Sequence, residues 1–250
     1  MATLDAKTEA LLGEFTRQVR ELYGEDLLAV VLYGSAAGVD YIPEVSDLNL
    51  LVVLKEVNPA QLEKAHKLVG RWRKAKLSPL FLDPHYIQRS LDVFPIEFLE
   101  MKEQHRLLWG EEDPLEGLEI PQENLRWQCE QELKGKWLKL RQAYLQTAGN
   151  PKGLQGLLVG SLRSFGVVMS ALLRLKGLTP PPREFLEIVT QVEEAFGLEL
   201  PAFREVYQLK WGFISPDKAA LRELFARYLV EVRQLTEVAD TLFAEADPAK

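Results

Sequence analysis

Residues that can do chemistry stand at the ends of two apolar segments in the first quarter of the sequence. Gly34 and Ser35 follow the run LLAVVLY, and Asp47 and Asn49 open the run DLNLLVVL. A glycine lets the backbone approach a phosphate closely, and a serine hydroxyl can donate a hydrogen bond to a phosphate oxygen. Carboxylate and amide oxygens are ligands that Mg²⁺ accepts. The four residues could therefore hold a phosphate together with a divalent cation.

Two predicted strands must position these residues. Leu27–Tyr33 and Asp47–Leu54 are short, continuous apolar runs, which is typical of strands that are buried on both faces. In a strand, alternate side chains point to the same face, so Asp47 and Asn49 should face the Gly-Ser turn together, about 7 Å apart. Gly-Ser after a strand also occurs in ordinary tight turns, so the dipeptide alone does not distinguish a phosphate site from a simple turn.

The remaining patterns predict an α+β first part. Residues 4–23 have apolar residues at helical spacing before Gly24, and Pro59 opens a second predicted helix that ends at Ala75. The segment LSPLFLD predicts a third strand, and the alternating residues of Phe94–Met101 predict a fourth. The expected order is helix, strand, strand, helix, strand, strand.

Long helical patterns replace strand signals after Pro121. Helices are predicted at Leu125–Gln146, Leu154–Lys176, Pro182–Phe196 and Pro216–Phe243. Four long helices indicate a bundle. We therefore predict two domains, residues 1–118 with a mixed sheet and flanking helices, and residues 119–250 as an all-helical domain.

The segment YGSAAGVDYIPEVSDLNLLVVL resembles the nucleotidyltransferase superfamily, typified by aminoglycoside nucleotidyltransferases and DNA polymerase beta. The pattern of that family is Gly-Ser, a spacer, Asp-x-Asp on the next strand and a third acid on a later strand. The resemblance implies that Mg²⁺ is held by the acids and that a nucleoside monophosphate passes from a nucleoside triphosphate to a hydroxyl group. The motif covers about 22 residues, and the order of elements extends the likeness to about residue 110.

Matched to that pattern, Gly34 and Ser35 are the phosphate-holding pair and Asp47 is the first metal-binding acid. For the third acid Glu97 is the best candidate, because it interrupts an apolar segment that is predicted to be a strand. A solvated residue on an edge strand is the other interpretation of Glu97. Further candidates for this role are Glu100 and Asp83.

Asn49 departs from the family pattern, which has an aspartate at this position. An amide oxygen can bind Mg²⁺ but adds no charge to hold two divalent ions about 4 Å apart. With Asp47, Asn49 and Glu97 as catalytic and metal-binding residues, two functions stay open. One is Mg²⁺-dependent transfer of a nucleoside monophosphate to a hydroxyl of a small molecule. The other is a catalytically impaired module that binds nucleotide or a partner as a signal.

The helical part carries one further candidate group. Lys134 and Arg141 are seven residues apart, hence on one helix face, and could meet a triphosphate; a solvated helix face is the alternative. The large aromatic residues of this part are predicted to lie in the core: Trp127, Trp137, Trp211 and Phe213. Cys129, the single cysteine, is predicted to be a core residue as well.

Composition limits the partners. The net charge is −7, and residues 1–118 contain 13 basic and 20 acidic side chains, so a long nucleic acid or an anionic membrane is not expected as a partner. A single cysteine and the absence of a secretory pattern at the N-terminus favour the cytoplasm. The apolar segment from Leu154 to Gly177 is nearly long enough to cross a bilayer, but it carries Arg163, so we predict a buried bundle helix. The oligomeric state is not predicted.

Overall fold

A computed structural model of the chain describes residues 4–38, 47–181 and 184–242. It divides into two compact units, Met1–Pro121 and Gln122–Lys250. The sequence placed the boundary after residue 118. The first unit contains the sheet and the second is helical, so the predicted fold class is confirmed.

The first unit is built on a mixed four-stranded sheet. Its helices and strands are, in chain order, α1 (Ala6–Tyr23), β1 (Leu27–Tyr33), β2 (Leu48–Leu54), α2 (Pro59–Trp72), β3 (Leu77–Leu82), α3 (Pro84–Arg89), α4 (Pro95–Glu103) and β4 (His105–Gly110). The strand order is β3-β2-β1-β4. β1 pairs antiparallel with β2 and with β4, whereas β2 and β3 are parallel. The end of β1 therefore lies at the same edge of the sheet as the beginnings of the other three strands.

Both faces of the central strands are buried, as the continuous apolar runs predicted. Leu50 and Val52 face a cluster that includes Phe15 of α1 and Leu68 of α2. On the opposite face, Val31, Leu51 and Val53 pack with residues of α3, α4 and the segment after β4: Ile87, Phe98, Leu115 and Leu118. Since side chains alternate along a strand, Asn49 shares the second face with Leu51 and Val53.

The predicted strand at Phe94–Met101 is wrong, because most of this segment forms α4. Pro95 takes a first-turn position, where its fixed φ suits a helix and its missing N–H is not needed. Glu97 lies in the same turn, where a carboxylate interacts favourably with the helix dipole. The fourth strand is instead His105–Gly110, which pairs with β1.

The second unit consists of helices over its described residues. They are α5 (Gln122–Gln146), α6 (Pro151–Leu175), α7 (Phe185–Phe196), α8 (Pro201–Lys210) and α9 (Lys218–Thr241). The sequence analysis did not predict α8. Part of the predicted helix at 182–196 falls on residues 182 and 183, which lie outside the described residues.

Helix α6 is the core of the helical unit. It is long and apolar enough to cross a membrane by length and hydropathy, but half of its most apolar stretch is buried inside the protein. It packs against α5, α7, α8 and α9. Cys129 is also buried, as predicted. The prediction of a core position was wrong for three aromatic residues that are more than half exposed, namely Trp127, Trp211 and Phe213.

Candidate functional site

Four polar residues form a row across one end of the sheet. Tyr33, the last residue of β1, pairs with Asn49 of β2 and with His105 of β4. Asn49 pairs in turn with Ser78 of β3. Residues paired in register point to the same face of a sheet, so the row Ser78, Asn49, Tyr33 and His105 lies on the face that α3 and α4 cover.

Gly34 begins a tight turn next to this row. Its N–H donates to the carbonyl of Gln104 at 2.9 Å, which fixes where the chain leaves β1. Its φ is +74°, and a Cβ at this position would lie 3.2 Å from Nδ2 of Asn49. Glycine therefore meets both a conformational and a steric requirement here. The structure brings Gly34 and Asn49 together, as the sequence analysis expected.

Ser35 lies in the same turn, a 3₁₀ segment that spans Gly34–Ala36. Its side chain lies outside the described part of the structure, as do residues 39–46 of the spacer. The predicted contact between the Ser35 hydroxyl and a phosphate therefore stays a prediction.

Asp47 stands immediately before β2 and is exposed. The next residue, Leu48, donates its N–H to the carbonyl of Lys76 at 2.9 Å, so the start of β2 is fixed against the chain that enters β3. Asn49 is half-buried two residues further on. The predicted separation of about 7 Å on one face assumed that Asp47 lies within the strand, whereas β2 begins at Leu48.

The candidates for the third acid do not lie on a strand. Glu97 is exposed in the first turn of α4, and Glu100 is exposed on the same helix. Asp83 follows β3 and caps α3 by accepting the N–H of Tyr86 at 2.8 Å. It is five residues beyond Ser78, hence about 16 Å along the strand from the polar row. Glu97 stays the predicted third ligand, but the reason for choosing it, an acid within a strand, no longer holds.

The donor set decides what kind of cation this end of the sheet could hold. Among the described residues, no group of three or more His, Cys, Asp or Glu side chains is placed to hold a metal ion. Besides the imidazole of His105, the polar row and Asp47 together offer one carboxylate, one amide and hydroxyl groups. This set fits a single Mg²⁺ ion that a bound phosphate helps to coordinate, but not two ions held by three carboxylates.

Three side chains of the row have no hydrogen-bond partner among the described residues, namely those of Tyr33, Asn49 and Ser78. Burial raises the pKa of the Tyr33 phenol, so this hydroxyl stays protonated and able to donate at neutral pH. His105 differs, because Nδ1 lies 2.9 Å from the carbonyl of Lys102 and Nε2 lies 2.9 Å from the Asp113 carboxylate. His105 therefore ties β4 to the following loop, and no comparable bond within the described residues holds the other three side chains.

Sequence reasoning did not identify Tyr33 or Ser78. Both lie within predicted strands, but an isolated Tyr or Ser in a strand carries no signal of function. Their position on either side of Asn49 follows only from the register of the sheet.

Among the described residues, two cavities open on the first unit, one away from the polar row and one next to it. One of about 700 Å³ lies at the opposite end of the strands, lined by residues that include Ala29, Val53 and Lys55. The other, of about 580 Å³, reaches the polar row at His105 and is also lined by Arg106 and Asp113. The larger cavity is thus remote from Gly34 and Asn49.

Lys134 and Arg141, the two candidate phosphate-binding residues of the helical unit, have contacts within that unit. The ammonium group of Lys134 bonds Glu130 and lies 3.2 Å from the Asp240 carboxylate. The Arg141 guanidinium lies 5.0 Å from the centre of the Trp137 ring. These contacts favour the interpretation of a solvated helix face over a phosphate site.

Comparison with known proteins finds similar structures but no similar sequences. Neither a protein-family model nor a curated protein matches the sequence. The structure is similar to that of spectinomycin adenyltransferase AAD(9) from Enterococcus faecialis, solved with ATP and spectinomycin, with a TM-score of 0.53 and 11% identity over 88% of this chain and 98% of that one. A nucleotidyltransferase-like protein from Exiguobacterium sibiricum also matches, with a TM-score of 0.40 and 13% identity over 94% of this chain and 77% of that one. The chain therefore shares its fold with AAD(9), in agreement with the fold that the resemblance of its Gly-Ser and Asp-x-Asn motif implied.

Proposed function

We propose that this protein binds a nucleoside triphosphate with Mg²⁺ at the polar end of the sheet, and that it acts mainly through binding. The observation that carries the proposal is the contact between the Gly34 turn and Asn49, with the exposed Asp47 two residues earlier. In this proposal Gly34 and Ser35 hold the phosphates. Asp47, Asn49 and Glu97 are the proposed ligands of the cation.

The charge of the site supports binding better than fast transfer. A bound Mg²⁺ ion would neutralise phosphate charge and, in a two-ion site, activate the attacking hydroxyl. Asn49 supplies an oxygen without charge, so Asp47, Glu97 and the phosphates balance one ion, and a second ion is poorly supported. Binding of nucleotide is therefore retained while the chemical step is weakened.

Transfer of a nucleoside monophosphate to a hydroxyl of a small molecule is the second candidate function. The support for it is the fold shared with an adenyltransferase whose structure contains ATP and a small-molecule antibiotic. In this candidate Asp47 and Glu97 bind the metal, and Asn49 completes the site as a neutral ligand. The acceptor would be a small molecule rather than a long nucleic acid, because the chain is acidic.

Calorimetric titration of ATP, GTP, CTP and UTP with Mg²⁺ tests the binding proposal. We expect at least one nucleotide to bind the wild-type protein, and we expect Asp47→Ala to weaken that binding at least tenfold, because the variant removes a cation ligand. Glu63→Ala is the matched control, since it removes one exposed carboxylate from α2, which packs on the other face of the sheet. Failure of all four nucleotides to bind, or equal affinity of Asp47→Ala and wild type, would overturn the proposal.

Release of pyrophosphate separates the two candidate functions. The wild-type protein and Asn49→Asp are incubated with Mg²⁺, nucleoside triphosphates and a library of hydroxyl compounds. Release by Asn49→Asp but not by wild type supports binding as the function. Turnover by wild type that is lost in Asp47→Ala supports transfer instead.

A further inference from the structure

Ser78 occupies a position that the register of the sheet makes important. β2 and β3 run parallel, and Ser78 pairs directly with Asn49. Neighbouring strands are about 4.8 Å apart, so a side chain at position 78 can reach any ligand held by Asn49. On the other side, Tyr33 pairs with Asn49 from β1. Asn49 thus has one hydroxyl-bearing residue on each side along the sheet.

The chemistry of these three positions is uniform. Each carries a neutral side chain that can both donate and accept hydrogen bonds. None of the three side chains has a hydrogen bond to another described residue. Asn49 and Tyr33 are half-buried and Ser78 is exposed, so hydrogen bonds from the first two side chains to a ligand would be partly shielded from water.

A three-carboxylate site would need acids at this row. Asp47 supplies one carboxylate just before β2, but the paired positions Asn49 and Ser78 carry an amide and a hydroxyl. The row therefore does not provide the negative charge that a second divalent ion requires. Neutral donors are suited instead to the oxygens of phosphate or sugar groups, which are themselves anionic or polar.

We infer that three members of the polar row, Ser78, Asn49 and Tyr33, form neutral hydrogen bonds to oxygens of the nucleotide. They would do so where a second metal ion would otherwise lie. This inference rests on the proposed nucleotide binding. It assigns Ser78 and Tyr33 to the site and predicts that nucleotide affinity depends on one divalent ion at most.

The first test removes single hydroxyl groups. Ser78→Ala and Tyr33→Phe should each weaken binding of the nucleotide that wild type binds by about three- to tenfold, which is the usual range for one hydrogen bond in a partly buried site. Ser215→Ala is the matched control, because Ser215 is an exposed serine of the helical unit. If both Ser78→Ala and Tyr33→Phe bind the nucleotide like wild type, the inference is wrong.

The second test introduces the missing carboxylates and uses Mn²⁺ alone, without nucleotide. The double variant Asn49→Asp with Ser78→Glu should bind Mn²⁺ at least tenfold more tightly than wild type, measured by electron paramagnetic resonance. The control Asn49→Asp with Ser215→Glu adds the same charge but places one carboxylate in the other unit. Equal Mn²⁺ affinity of the two double variants would contradict the predicted proximity of Ser78 to Asp47 and Asn49.

These tests separate the inference from the proposed function. If wild type binds nucleotide and Asp47→Ala abolishes it, but changes at Ser78 and Tyr33 have no effect, the proposed function stands and the row is not part of the site. If no nucleotide binds wild type, the proposed function fails and the inference about nucleotide fails with it. A gain of Mn²⁺ binding in the Ser78→Glu double variant alone would then show only that the row has the predicted geometry.

Discussion

Tyr33 at the end of the sheet and Tyr228 in the helical unit show two uses of one side chain. The Tyr228 hydroxyl lies 2.8 Å from Oγ of Ser161, and its ring packs against Phe165 and Phe203. The Tyr33 hydroxyl has no such partner among the described residues. The first tyrosine is buried and held by the helical core, whereas the second is half-buried at the strand end that leads into Gly34.

The same contrast separates Glu231 from Asn49. Glu231 of α9 is buried and accepts the N–H groups of Ala202 and Phe203 at 2.7 and 3.0 Å. These are first-turn donors of α8, whose N-cap residue, Leu200, has no capping side chain. Glu231 thus replaces the missing cap. Asn49 lies within β2 and accepts no helix N–H among the described residues, and its proposed role is to bind a ligand.

The largest expected effect on stability is at Glu231. Glu231→Ala should lower the free energy of unfolding by about 3 kcal/mol, because two buried N–H groups lose their acceptor. Glu205→Ala is the matched control, since Glu205 joins the same two helices through a partly exposed ion pair with Arg227. That change should cost less than about 1 kcal/mol. Urea unfolding measures both, and equal losses would mean that Glu231 is not a cap.

A smaller effect is expected at Gly34, where conformation and contact act together. Gly34→Ala should lower the free energy of unfolding by about 1–2 kcal/mol, because alanine is strained at positive φ and its Cβ would press against Asn49. Gly13→Ala is the control, since a Cβ at that exposed position in α1 would meet nothing within 4 Å. It should stabilise the protein by about 0.5–1 kcal/mol. Opposite signs of the two changes in urea unfolding would support this account, and a neutral Gly34→Ala would contradict it.

Much of the sheet could be predicted because its strands are apolar on both faces. β1 and β2 read as continuous apolar runs, and the Gly-Ser turn with Asp47 and Asn49 follows directly from their ends. Alternation alone was a weaker guide. In Phe94–Met101 the alternation suggested a strand, but Pro95 and Glu97 favour a helix start, and the helix formed.

The partners of the site residues could not be predicted, because they depend on strand order. Nothing local to LSPLFLD shows that β3 lies parallel to β2 with Ser78 beside Asn49. Helix α8 was missed for a related reason. Its capping acceptor is Glu231, which is 29 residues away from Ala202 in the sequence, so no local start signal marks the helix.

The smallest of the expected effects is a dependence of stability on pH. Burial raises the pKa of Glu231 to about 7, even though two N–H groups bond its carboxylate. The native state therefore holds a proton that the unfolded chain has released between about pH 4.5 and pH 7, and the stability from this group falls as pH rises through that window.

Glu231→Gln removes the titrating group while keeping one acceptor oxygen. We expect the melting temperature of wild type to fall more between pH 5 and pH 8 than that of Glu231→Gln, by an amount that corresponds to on the order of 1 kcal/mol after solvent screening. Scanning calorimetry at several pH values gives both slopes, and the difference between them isolates Glu231 from all other titrating groups. Parallel slopes would mean that Glu231 is ionised in the folded protein throughout. It would then act as an ordinary charged cap, and its burial would be fully offset by the two N–H groups of α8.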